Sequence, residues 1–167
     1  MLKKIKPFYR GWRKYLIEGL AIIIVITLVR QYQQRDVVSG LAPPIQGVML
    51  DNTRINWQDY RSKPLLIHFW ASWCPVCRLE ESSIASIAKD YQLLSIASWS
   101  DDTVSYMQQR GLDFPTLNDI DGKWAKRYGI SAVPTSVIVN PAGQIYFVES
   151  GFSSEWGLRL RLWWLQI

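Results

Sequence analysis

The chain has 167 residues and a formal net charge of +5, a length that suits one domain with a single core after an N-terminal segment. The charge is uneven. Residues 1–35 carry eight Lys or Arg and one Glu, whereas residues 36–167 carry eleven Lys or Arg and thirteen Asp or Glu. The basic balance therefore belongs to the N-terminus, and nothing in the rest of the chain indicates nucleic-acid binding.

The first predicted element is an apolar segment at 12–32. Met1–Lys14 is basic with no acidic residue, and Gly19–Val29 carries no charge. About 20 residues are enough to cross a bilayer, and a positive flank marks the cytoplasmic side. We therefore predict a cytoplasmic tail at 1–11, a single-pass transmembrane anchor at 12–32 and a linker at 33–41. A cleaved signal peptide is the alternative, although no small-residue cleavage site follows closely.

This orientation predicts a bacterial inner-membrane protein whose C-terminal domain lies in the periplasm, where cysteine pairs can be oxidised. The domain itself is predicted at 42–167. It begins with two short runs that indicate a hairpin, Gly47–Leu50 and Arg54–Asn56. The next run, Leu65–Trp70, is apolar except for His68, which predicts a strand buried on both faces.

Both cysteines of the chain follow that strand, as Cys74 and Cys77. Apolar residues recur at helical spacing over Pro75–Tyr91, so Cys74 would lie at a helix N-terminus that favours a thiolate. Cys77 would lie one turn behind, close enough to form a disulfide. An isolated Cys-x-x-Cys beside a βαβ pattern indicates redox chemistry. A structural disulfide and Cu(I) binding by the bare pair stay open, whereas a structural zinc site needs more Cys or His ligands than the chain has.

The rest of the chain alternates strands and helices. The predicted elements are a strand at Leu93–Trp99, a helix at Thr103–Arg110, a short extended piece at Phe114–Leu117, a helix at Asp121–Tyr128, and a hairpin of Thr135–Val139 and Gln144–Val148. Asp101 and Asp102 are placed to cap the helix that follows them. In the tail, four residues fit one face of a helix: Trp156, Leu160, Trp163 and Ile167. We therefore predict a closing helix within 153–167.

Five motifs follow one another in the order Phe69–Glu80, Phe114–Leu117, Tyr128–Ile130, Val133–Thr135 and Asn140–Gly143. Together they resemble the thioredoxin superfamily, and within it the membrane-anchored branch of TlpA, ResA and CcmG. Within this branch, the chain also resembles the anchored thioredoxin-like protein of the copper-sensitivity suppressor group. The resemblance implies a thioredoxin-like α/β fold, with a central mixed sheet flanked by helices and an N-terminal hairpin extension.

The activity that this resemblance implies is that of a thiol–disulfide oxidoreductase. Its redox group would be the cysteine disulfide itself, with no cofactor and no metal. The implied partners are protein thiols or disulfides and a membrane protein that donates or accepts electrons.

The resemblance also assigns residues to the site. Cys74 would attack a disulfide, and Cys77 would resolve the mixed disulfide. The Val133–Pro134 peptide bond would be cis, and its loop would pair with the substrate backbone. The other substrate-binding residues would be Trp73, Pro75 and Val76.

Two further residues have two interpretations each. His68 holds the position where thioredoxins carry a buried acid beneath the second cysteine. It is either a proton acceptor for Cys77, because neutral imidazole titrates near the working pH, or a core histidine hydrogen-bonded to backbone. Glu80 matches a glutamate of the TlpA-like branch, and is either a catalytic acid–base group or part of a solvated helix face.

Two other functions fit parts of the pattern. A periplasmic copper-handling protein would use the cysteine pair as ligands, although copper delivery usually recruits more soft ligands and the methionines lie in separate segments. A peroxidase of the same fold would need a peroxidatic cysteine upstream of a resolving one, and the chain has none there.

Overall fold

The computed structural model describes residues 9–167, except for the side chains of residues 9–11, 13, 30 and 33. Residues 1–8, most of the predicted cytoplasmic tail at 1–11, lie outside the described residues. The chain divides into two units, one ending at Tyr32 and the other spanning Gln33–Ile167, and each is described by itself.

Helix α1 spans Tyr9–Gln34. It forms the described part of the first unit, and its last two residues belong to the second unit. Within the described part of the chain, no helix combines the length and the apolar character needed to cross a membrane. The uncharged run Gly19–Val29 is much shorter than the roughly 20 apolar residues of a spanning helix. The prediction of a single-pass anchor at 12–32 is therefore wrong, and the inner-membrane location inferred from it is corrected with it.

The second unit is a six-stranded sheet with helices. The strands are β1 (Gly40–Leu41), β2 (Leu65–Trp70), β3 (Gln92–Ser98), β4 (Thr116–Asp119), β5 (Thr135–Val139) and β6 (Gln144–Ser150). The helices are α2 (Pro75–Ile87), α3 (Thr103–Arg110), α4 (Lys123–Arg127) and α5 (Glu155–Trp164), with a 3₁₀ turn at Trp57–Tyr60.

The strand order is β1-β6-β5-β2-β3-β4. β2 pairs in parallel with β3, and β3 with β4, whereas the other neighbours are antiparallel. The predicted mixed sheet flanked by helices is confirmed. β1 lies within the predicted linker and forms one edge of the sheet.

β2 lies in the middle of the sheet, and all six of its residues are buried, as predicted for a strand covered on both faces. Successive side chains of a strand point to opposite faces. Leu65, Ile67 and Phe69 accordingly join one hydrophobic core together with α4. Leu66 and Trp70 join a second core, which contains both cysteines and the buried apolar residues of α2 and α5. The redox pair therefore lies on the face of the sheet that also holds His68.

The predicted hairpin after residue 42 is present in a short form. Val48 and Arg54 form an antiparallel bridge, and the Met49 N–H donates to the Thr53 carbonyl. The hairpin also bonds to β4, through the Leu50 N–H and the Thr116 carbonyl. It therefore covers backbone groups that an edge strand would otherwise expose.

Candidate active site

Cys74 lies at the N-cap of α2 with extended backbone, and Pro75 occupies the first turn, as predicted. The Cys74 sulfur accepts a hydrogen bond from the Cys77 N–H at 3.2 Å. Cys74 and Cys77 are joined by a disulfide, with 5.3 Å between their Cα atoms. The unpaired N–H groups at a helix N-terminus stabilise negative charge, so this position favours a thiolate on Cys74 once the disulfide is reduced.

The loop before β5 lies beside the first cysteine. The Val133–Pro134 bond is cis, which confirms that prediction. The Cys74 sulfur lies 3.6 Å from the Val133 carbonyl oxygen, and the Pro134 carbonyl accepts from the Gly151 N–H at 2.8 Å. The structure thus brings together the two motifs that the sequence separates by almost sixty residues.

His68 is buried on the same face of the sheet, and its Nδ1 lies 3.0 Å from the Ser136 hydroxyl. β5 supplies this hydroxyl because Ser136 is the register partner of His68. Burial lowers the pKa of His68 to about 3, since a desolvated imidazolium is unfavourable. The imidazole is therefore neutral, and its described partner is a side-chain hydroxyl rather than backbone.

Glu80 is buried, with only 1% of its surface exposed, so the interpretation as a solvated helix face is wrong. Its Oε1 accepts a hydrogen bond from the Ser153 N–H. Among the described residues Oε2 has no hydrogen-bond partner, and it lies 3.9 Å from Nε2 of His68. Burial raises the pKa of Glu80 to about 7, and the Ser153 N–H opposes that rise. Because His68 is neutral, this contact is not an ion pair.

The predicted substrate-binding residues around the pair are partly exposed. Trp73 is 58% exposed, and Val76 is exposed as well. The indole N–H of Trp73 donates to the carbonyl oxygen of Trp99 at 2.9 Å. Trp70, in contrast, is a core residue whose indole N–H donates to the Ser95 hydroxyl.

The segment just before Cys74 is held by the loop that follows β3. The Ser72 N–H donates to the Ser100 hydroxyl at 3.0 Å, and the Ser72 hydroxyl donates to the Asp102 carboxylate. Asp102 is the N-cap residue of α3, but its side chain makes no capping hydrogen bond, so the cap predicted there is wrong for Asp102.

Sequence reasoning missed these contacts of Trp99, Ser100 and Asp102, and also that of Ser153. A signal existed for the first three, because the carboxyl ends of parallel strands meet at the same edge of a sheet. β2 and β3 are parallel, so the residues that follow each of them are neighbours. No comparable signal pointed to Ser153, which lies 73 residues from Glu80.

The described residues contain no group of three or more His, Cys, Asp and Glu side chains placed to hold a metal ion. The site brings together a disulfide at a helix N-terminus, the cis Val133–Pro134 loop beside the first sulfur, and a buried carboxyl group one turn from the second. That combination suits thiol–disulfide exchange with proton transfer.

Comparison with known proteins places this site in a family. The model of the AhpC/TSA family matches residues 38–148. The chain belongs to the AhpC/TSA family. A thioredoxin-like protein of Haemophilus influenzae is 33% identical over 162 residues, covering 92% of this chain and 96% of that protein.

Two further relatives of this AhpC/TSA member are named for their chemistry. The thiol-disulfide oxidoreductase ResA of Bacillus subtilis is 26% identical, and the match covers 61% of each chain. A secreted disulfide oxidoreductase of Mycobacterium tuberculosis, described as homologous to DsbE of E. coli, superposes with a TM-score of 0.64. It is 26% identical, and the match covers 73% of this chain and 96% of that one. The predictions of a thioredoxin-like fold and of a thiol–disulfide oxidoreductase are confirmed.

Proposed function

We propose that the chain exchanges disulfides with protein substrates, with Cys74 as the attacking sulfur and Cys77 as the resolving one. The observation that carries the proposal is the placement of Cys74, which caps α2 and lies beside the Val133 carbonyl. A substrate strand paired with the loop at Val133–Pro134 would bring its sulfur to Cys74. Cys77 lies one turn further along the helix, away from the N-terminus that favours a thiolate on Cys74.

In the reductive direction, the Cys74 thiolate attacks one sulfur of a substrate disulfide, and the other substrate sulfur leaves as a thiolate and takes up a proton. The Cys77 thiol then loses its proton and attacks the Cys74 sulfur, which releases the second substrate thiolate. Two electrons pass from the cysteine pair to the substrate, and the Cys74–Cys77 disulfide forms. The same steps in reverse oxidise a substrate dithiol.

A second protein with a dithiol or a disulfide of its own must return the pair to its starting state. The two electrons come from the sulfurs themselves, so we propose that the cycle needs this partner and no bound cofactor.

Glu80 is our candidate for the group that takes the Cys77 proton. The two residues are three apart on the buried face of α2, and residues at this spacing are neighbours on a helix. A general base works best when its pKa lies near the operating pH, and that of Glu80 is raised to about 7.

His68 is the weaker base, because its pKa is lowered to about 3. We propose that its neutral imidazole fills the space beside the Glu80 carboxyl and so keeps water and charged groups away from it. Of the two predicted proton acceptors for Cys77, we therefore propose Glu80.

Insulin reduction by the full chain, with dithiothreitol as the reductant, tests the proposal. Wild type should accelerate the reaction, and Cys74→Ser should return it to the uncatalysed rate. Ser82→Ala, an exposed change in the same helix, is the matched control and should keep the wild-type rate. Titration with Cu(I) in parallel addresses the copper alternative: tight copper binding without turnover would contradict the proposal.

A further inference from the structure

Ser72, two residues before the nucleophile, is buried, and both of its donors bind the segment that follows β3. Its N–H donates to the Ser100 hydroxyl at 3.0 Å, and its hydroxyl donates to the Asp102 carboxylate. The Cys74 N–H donates to the Ala71 carbonyl at 3.1 Å. Ser72 is therefore an inner residue of a turn whose last residue is Cys74, and the segment after β3 fixes that turn.

The Asp102 carboxylate does not do what its place in the chain predicts. Asp is among the residues preferred at a helix N-cap, where the side-chain oxygen accepts from an N–H of the first turn. Asp102 occupies the N-cap of α3, but its backbone is not extended (φ −100°, ψ 16°) and its side chain makes no such bond. The carboxylate binds the turn before Cys74 instead. Residues that break a local rule in this way concentrate at functional sites.

The position of the Cys74 sulfur matters because the substrate is held from the other side. This sulfur lies 3.6 Å from the Val133 carbonyl oxygen, in the loop proposed to pair with the substrate backbone. A substrate strand held there has to meet the sulfur with little freedom to adjust. A misplacement of about 1 Å in such an arrangement can slow a reaction by about a hundredfold.

We propose that Asp102 is a positioning residue for disulfide exchange. By accepting the Ser72 hydroxyl it fixes the turn before Cys74, and so it holds the sulfur in line with a substrate strand paired at Val133–Pro134. The inference rests on the proposed function, because it concerns attack by Cys74. The role requires an oxygen that accepts a hydrogen bond, not a negative charge. Replacing Asp102 leaves the bond from the Ser72 N–H to Ser100 in place, so the turn loses its exact orientation but stays folded.

Two disulfide probes separate the position of the sulfur from its reactivity. Insulin presents a disulfide on a chain that can pair with the loop, whereas hydroxyethyl disulfide has no such chain and can adjust its own approach. Oxidation of the full-length reduced protein by each probe would be followed by tryptophan fluorescence. Asp102→Ala should lower the second-order rate constant with insulin about tenfold, the equivalent of one hydrogen bond to a charged group. It should change the rate constant with hydroxyethyl disulfide by less than about twofold, because only placement is lost.

Three further variants identify the hydrogen bond as the cause. Asp102→Asn keeps an oxygen that can accept from Ser72, and it should recover most of the rate with insulin. Ser72→Ala should lose as much as Asp102→Ala, and the double variant should lose no more than either, because all three lack the same bond. Asp101→Ala, which removes the exposed carboxylate of the preceding residue, is the matched control and should keep both wild-type rates.

An equal loss with both probes in Asp102→Ala would show that the fold or the thiolate, rather than its placement, depends on this residue, and it would overturn the proposal. Wild-type rates in Asp102→Ala, an Asp102→Asn protein as slow as Asp102→Ala, or losses that add in the double variant would also overturn it. All of these results leave the proposed function standing. Wild-type protein that reacts with hydroxyethyl disulfide but not with insulin would instead overturn the proposed function.

Discussion

His68 and Glu80 face each other in a buried space, and burial moves their pKa values in opposite directions. It lowers the pKa of His68 to about 3 and raises that of Glu80 to about 7, because in each case the charged form is the one that loses hydration. Near pH 7 His68 is therefore neutral, whereas Glu80 is close to its titration point and is only partly ionised.

Glu80→Gln should change how stability depends on pH. The folded-state pKa of Glu80 is about 7 against a model value of 4.5, so the native state holds this proton more tightly than the unfolded chain. The stability that the native state gains from this tighter proton binding is complete below pH 4.5 and is lost as pH rises through 7. The free energy of unfolding of Glu80→Gln, relative to wild type, should rise by about 3 kcal/mol between pH 4 and pH 8.

Denaturant unfolding of both oxidised proteins across this pH range measures the difference. His68 is present in both and largely cancels in the comparison. If the free energies of unfolding of the two proteins differ by the same amount at every pH, the Glu80 carboxyl titrates at an ordinary pKa. That result would rule out Glu80 as the proton acceptor.

At this scale, residue spacing predicted the site in part. The Cys-x-x-Cys spacing was enough for the cysteine pair and for Pro75, whereas the cis bond at Val133–Pro134 was predicted from the resemblance of that motif to the thioredoxin superfamily. Burial of Glu80 was not predictable, because it depends on the loop containing Ser153, which the chain reaches only after four more strands.

Among the elements, α5 shows how a helix can be predicted while its faces are not. The helix is confirmed at Glu155–Trp164, but the predicted apolar face of Trp156, Leu160, Trp163 and Ile167 is exposed to solvent. Leu158 and Leu162 are buried instead, in the core shared with α2. Both sets of residues have helical spacing, so periodicity alone could not select the buried one.

Leu162 and Leu160 provide a matched test of that packing, since they are the same residue type on opposite faces of one helix. Leu162→Ala should lower the free energy of unfolding by about 2–5 kcal/mol, because it leaves a cavity in a core. Leu160→Ala, at a side chain 62% exposed, should change it by no more than about 0.5 kcal/mol. Equal losses from the two substitutions, measured by urea unfolding, would show that the exposed face is packed in solution.

Strand β4 is a second case. The sequence predicted only a short extended piece at Phe114–Leu117, whereas the strand runs over Thr116–Asp119 and pairs in parallel with β3. Three of its four residues, Thr116, Asn118 and Asp119, are polar, so the hydrophobic pattern of the sequence does not predict the strand. Asp119 is buried because its carboxylate accepts hydrogen bonds from Ser98 and from the first turn of α4, and such partners cannot be read from a local window.

For the molecule as a whole, the order of strands and helices was predictable because buried runs and turn residues alternate clearly along residues 65–150. The prediction for the N-terminal segment was wrong. Its apolar run and basic flank predicted a membrane anchor, but the uncharged part of α1 is too short for a span. The two faces of the sheet and the position of the redox pair between β2, α2 and the loop before β5 emerge only when distant parts of the chain meet.

Trapping of mixed disulfides tests most directly whether Cys74 attacks and Cys77 resolves. Each full-length variant, Cys77→Ala and Cys74→Ala, would be incubated with a disulfide-containing protein such as insulin, and adducts would be resolved on non-reducing gels. Cys77→Ala should accumulate a mixed disulfide through Cys74, because the sulfur that releases it is missing, and Cys74→Ala should form none. Adducts through Cys77 in the Cys74→Ala protein, with none in the Cys77→Ala protein, would contradict the assignment.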